Sequence, residues 1–119
     1  MKIFPALSIL VASCVLADGP HYAVKSAREC IGLADYAIVS RALSKNGIDE
    51  HTSQAILHDT YLFILEDGKP STELWEIADQ IFKVARKTSE DPHDFSNRFN
   101  ISCQSHRGNL DDFFAGKDT

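Results

Sequence analysis

A chain of 119 residues with a hydrophobic fraction of 44% has the length of one domain and the composition of a folded protein. Its 12 basic and 17 acidic residues give a net charge of −5. No run of Lys or Arg forms a basic stripe, which argues against nucleic acid and anionic membrane surfaces as partners.

The first 17 residues read as an export signal. Lys2 supplies the positive start, Ile3 to Leu16 is almost wholly apolar, and Val15-Leu16-Ala17 has cleavage-site character before Asp18. The apolar run is too short to span a bilayer, and no later stretch reaches that length, so no transmembrane segment is expected. Val11-Ala12-Ser13-Cys14 also resembles a bacterial lipoprotein signal, in which Cys14 would become a lipid anchor. The division is therefore a signal peptide over 1–17 and a single helical domain over 18–119. After cleavage at Ala17, Cys30 and Cys103 remain, and two thiols in an oxidising compartment predict one disulfide.

Gly19-Pro20 can open a first helix. Val24, Ala27, Ile31, Ala34, Ile38 and Ala42 then recur at helical steps, with Cys30 and Ala37 on one flank. Asn46-Gly47 ends it. Asp49 can cap a second helix, which is the most apolar and therefore expected at the centre. Its run Tyr61 to Leu65 carries no usable period, and a strand is the alternative there. Glu66 to Pro70 is a turn. Ser71 or Thr72 caps a third helix bearing Leu74, Ile77, Ala78, Ile81, Phe82, Val84 and Ala85. Asp91-Pro92 starts a fourth, with Phe95, Phe99 and Cys103 at steps of four and Gly108 beyond its end. The expected fold is all-α: a small four-helix bundle-like domain with one disulfide joining the first and fourth helices.

Chemistry is hard to assemble from these residues. His51 and His58 are two turns apart, about 10 Å along a helix, too far to share an ion. No G-x-S-x-G elbow or phosphate loop occurs. No metal, no cofactor and no enzymatic activity are expected. Asp35 falls on the apolar stripe with Ile31 and Ile38, where a carboxylate needs a partner; a structural ion pair with an Arg or Lys is expected. Two features suit protein binding. The turn Glu66 to Ser71 carries Asp67 and Lys69 beside a stiff Pro, and the tail offers Phe113 and Phe114 among acidic neighbours. Asn100-Ile101-Ser102 matches a glycosylation sequon.

Cys30, Ala34, Ala37, Arg41 and Gly47, followed by Phe95, Phe99, Cys103, Gly108 and Leu110, make the chain resemble small bacterial periplasmic helical proteins with one disulfide. In outline it is similar to the immunity proteins that neutralise type VI secretion cell-wall amidases, which end in a Cys followed by a His and a Leu-Asp pair. Cys103, His106, Leu110 and Asp111 stand in that order here. The resemblance implies a periplasmic inhibitor that acts by occupying a toxin. The expected function is thus an exported binding or inhibitor module acting on a partner protein. The alternative is a periplasmic carrier of a small apolar ligand or a chaperone-like stress protein, with a cavity lined by Tyr61, Phe63 and Phe82.

Overall fold

A computed structural model describes residues 22–66 and 71–117. The proposed signal, with Cys14 and Gly19-Pro20, and the turn residues Asp67 and Lys69 lie outside them. The described chain is helical, with no strand: α1 Ala27–Lys45, α2 Glu50–Glu66, α3 Thr72–Lys87, α4 Pro92–Ser105 and the single turn α5 Asp111–Phe114. Caps set most boundaries. Ser26 accepts from the Glu29 N–H and opens α1, seven residues after Gly19. Asp49 accepts from the N–H and hydroxyl of Thr52, Ser71 from the Leu74 N–H, and Asp91 from the N–H groups of His93 and Asp94, with Pro92 in the first turn. Each satisfies donors that a helix N-terminus leaves free. Gly47 closes the α1–α2 connection at φ 76°, a conformation that costs a glycine little.

The central helix is α1, against which α2, α3 and α4 all pack, α4 most extensively. This corrects the expectation that α2 is central. The cause lies in side-chain size. Along α1, Cys30, Ala34, Ala37 and Ser40 are buried beside the larger Leu33, Tyr36 and Arg41, and the small residues let other helices approach from several sides. In α2 five apolar residues in succession point all round the helix, about 100° apart. Only Tyr61 and Leu65 of that run are buried, and Leu62, Phe63 and Ile64 face outward. The alternative of a strand over 61–65 is excluded, because the segment is helical. The buried face of α1 is likewise rotated from the expected stripe: Ile31 is 60% exposed, and Asp35 is exposed beside it.

Pairing between helices follows an up-down-up-down course. Gly32 meets Ile64 and Asp35 meets Tyr61, so α2 runs antiparallel to α1. Ser96 Oγ donates to the Ala34 carbonyl at 2.6 Å, and Cys30 bonds to Cys103, so α4 does the same. Beyond the disulfide, the Val24 N–H donates to the Arg107 carbonyl and the Leu110 N–H to the Tyr22 carbonyl. The segment before α1 is thereby held against the loop after α4. Four-helix, all-α, with the disulfide joining the first and fourth helices: the architecture is the one the periodicity and the two cysteines predict.

At the far end, Arg41 is buried, and its Nε donates to the Glu90 carbonyl at 2.6 Å. The Glu90 side chain takes a two-pronged contact from Arg98 at 2.8–3.1 Å. Hydrogen bonds from Arg98 hold the Glu90 carboxyl below its ordinary range, against the opposing effect of partial burial. A depressed carboxyl stabilises the fold above the unfolded glutamate value, about 4.3, and loses that contribution as pH falls through the folded value. Glu90→Gln should therefore cost roughly 1 kcal/mol at neutral pH, a modest figure because the pair is partly solvated. Denaturant titrations at pH 7 and pH 3 should show the cost shrinking at the lower pH; an equal cost at both would contradict this role.

Candidate partner-binding surface

A depression lies between the first half of α1 and the last turns of α2, and is closed at one end by the start of α3. It encloses about 770 Å³. Ile31, Gly32, Phe63, Ile64 and Leu74 supply its apolar lining, and Lys25, Arg28, Glu29, Asp35, Glu66 and Glu73 stand around it. Gly32 sets its floor. A Cβ built there would lie 2.8 Å from Ile64 Cγ2, and a β-branched side chain on a helix has little freedom to turn away. A glycine inside a helix costs about 1 kcal/mol relative to alanine; here it admits the close approach of α1 and α2.

Phe63 is the outstanding residue. It is 85% exposed, with Ile31 60% and Ile64 49% exposed beside the same depression. Ile56 stands two turns earlier on the Phe63 face of α2 and is also exposed. Single exposed apolar residues are ordinary, whereas a clustered set marks an interaction surface.

Behind the surface, polar and aromatic contacts hold it in shape. The Tyr61 hydroxyl donates to Asp35 Oδ2 at 2.7 Å. Burial first, and then the Asp35 carboxylate, raise the Tyr61 pKa, so the phenol keeps the proton it donates. Asp35 thus has a phenol where an Arg or Lys was expected, and no basic side chain among the described residues forms an ion pair with it. Tyr36 meets Tyr61 edge-on at 5.3 Å, and burial, with a smaller effect of Asp79, pushes its pKa up to about 12. Trp75 lies edge-on to Tyr36 and stacks on His58, with centroids 5.2 Å apart. Its Nε1 donates to Glu66 Oε2 at 2.9 Å.

The residues expected to bind a partner divide. Glu66 borders the depression, but one of its oxygens is engaged by Trp75. Asp67 and Lys69 lie outside the described residues. Phe113 is buried against Phe99, with ring centroids 5.2 Å apart, and Arg98 sits over its ring at 4.7 Å. Phe114 is half-buried and packs edge-on to Tyr22. The aromatic tail therefore closes the end of the core and does not present two free anchors. Ile31 and Ile64 were not singled out as binding residues, and Phe63 only as part of the alternative ligand cavity. The signal for Phe63 and Ile64 was the unbroken apolar run in α2, which no single helix face can bury. Among the described residues no group of three His, Cys, Asp or Glu side chains converges as a metal site would require. Comparison of the chain with family models, characterised proteins and solved structures finds no match.

Proposed function

We propose that this chain is an exported binding module that acts by occupying a partner protein through the α1–α2 surface. The observation that carries the reading is Phe63, a large aromatic left almost wholly in water on a helix that is otherwise anchored in the core. Aromatics on a rigid element are effective interface anchors because little conformational entropy is lost when they are covered. The disulfide fits an oxidising compartment, and no described helix is long and apolar enough to cross a membrane. Periplasmic residence after removal of the 1–17 signal, with Cys14 lipidation as its variant, belongs to the same proposal. An immunity protein that blocks a toxin is the form suggested by the resemblance of the cysteine-bearing helices.

The carrier alternative is less well supported. Tyr61 and Phe82 are buried while Phe63 is exposed, so the three do not line one enclosed cavity. A carrier covers most of a small ligand's surface, and the Phe63 face is open. The test is capture of partners from the exported proteins of the source organism on the immobilised, disulfide-intact chain. Phe63→Asp should leave stability within about 0.5 kcal/mol of the parent, because the side chain is solvated. It should lower partner affinity by about 2 kcal/mol or more, as expected for a lost anchor. Undiminished capture by a folded Phe63→Asp variant would overturn the proposal.

A further inference from the structure

Charge along the sequence is uneven in a way that bears on what covers this surface. Between residues 46 and 82 there are eight carboxylates and one lysine, whereas the rest of the chain carries nine carboxylates and eleven basic residues. That segment includes all of α2, which has no Lys or Arg. Asp59 lies on the same face of α2 as Ile56 and Phe63, at steps of three and four, and its side chain is 90% exposed. Across the depression Glu73 is exposed in the first turn of α3. The first basic residue of α3, Lys83, is already paired with Asp79 at 3.2 Å. On the α2 and α3 sides the exposed apolar residues thus face carboxylates, while Lys25 and Arg28 stand on the α1 side. The backbone adds a second constraint: the described chain has no strand, so it offers no sheet edge for an extended peptide. Two helices with an apolar depression between them suit a third helix laid along it.

Resting on the protein-binding reading above, we infer that the occupant is an amphipathic helix of the partner whose apolar stripe is flanked by Lys or Arg. Its apolar residues cover Ile31, Phe63 and Ile64, and its cations face Asp59 and Glu73. A second copy of this chain paired α2 to α2 fits poorly, because that sets carboxylates against carboxylates with no Lys or Arg on either helix.

The test uses two synthetic 18-residue helical peptides with the same leucine stripe, one flanked by Lys and one by Glu. Each is titrated calorimetrically into the full disulfide-bonded chain. The Lys peptide should bind at least about tenfold more tightly than the Glu peptide, and the preference should weaken as salt is raised. The double variant Asp59→Lys, Glu73→Lys should reverse the preference, and Phe63→Asp should weaken binding of the Lys peptide about tenfold or more. Equal affinity for the two peptides, a preference unchanged by charge reversal, or binding indifferent to Phe63→Asp would each overturn the inference. Sedimentation showing that the chain dimerises through Phe63 would also overturn it. If neither peptide binds while partner capture still depends on Phe63, the basic helix is wrong and the protein-binding reading stands. If capture does not depend on Phe63, that reading falls as well.

Discussion

Replacing both cysteines, Cys30→Ala with Cys103→Ala, should lower the unfolding free energy by about 2–5 kcal/mol. The two sulfurs join α1 to α4 across 73 positions of sequence, and a loop of that length corresponds to about 4 kcal/mol in the chain-entropy account. Both residues are fully buried, so alanine also leaves small voids that add to the cost. A domain of this size has only about 5–15 kcal/mol in total, so the double variant should be near the margin of folding. The loss should concentrate at the end where Val24 and Tyr22 hold the loop after α4, because those backbone bonds depend on α1 and α4 staying together. Denaturant midpoints of the oxidised parent and the double variant measure the cost; hydrogen exchange at Val24 and Leu110 measures its location. A cost below about 1 kcal/mol would mean that the α1–α4 contact holds without its covalent tie.

Phe113→Ala should be the other severe change, costing about 3–5 kcal/mol, the range for truncating a fully buried aromatic. The four-residue helix that carries Phe113 contributes little by itself; what holds it is the ring's insertion between Phe95 and Phe99, beneath Arg98. Phe114→Ala should cost clearly less, because that ring is half-buried at the edge of the same cluster. Thermal melts of the two variants give the ordering. If Phe113→Ala melts with the parent but loses its partner, the tail is a binding anchor after all, and the core assignment is wrong.

Helix periodicity made the architecture legible. The Leu74-Ile77-Ala78-Ile81-Phe82-Ala85 stripe of α3 is buried, with Val84 half-buried at its edge, and Asp91-Pro92 and Ser71 begin their helices because a free N–H row needs an oxygen acceptor wherever it occurs. Less legible was which face of α1 turns inward. Ile31 and Ile38 mark the most hydrophobic stripe, yet the buried side runs through Cys30, Leu33, Tyr36, Ala37, Ser40 and Arg41, where small residues between the large ones let three helices pack against α1. That rotation carries Asp35 out of the core and onto the rim of the candidate surface, and it makes Tyr61 its partner. The same lesson holds for the aromatics. Phe63 and Phe113 are equivalent in composition and opposite in burial, and only the packing of α4 with α5 separates them. Glu66, expected in a binding turn, borders the candidate depression, but its carboxylate serves Trp75, a contact between residues nine apart that no local rule foretells.

The central claim, that the α1–α2 surface is where a partner binds, is tested most directly by photo-crosslinking. Ile101 on α4 is 59% exposed, so it offers an apolar control outside the depression. A benzophenone side chain is placed at position 63 in one preparation and at position 101 in another, and each is irradiated with the exported proteins of the source organism. The account predicts a covalent adduct from position 63, reduced when excess unlabelled chain competes, and none from position 101. An adduct from position 101 alone, or equal adducts from both positions, would contradict it.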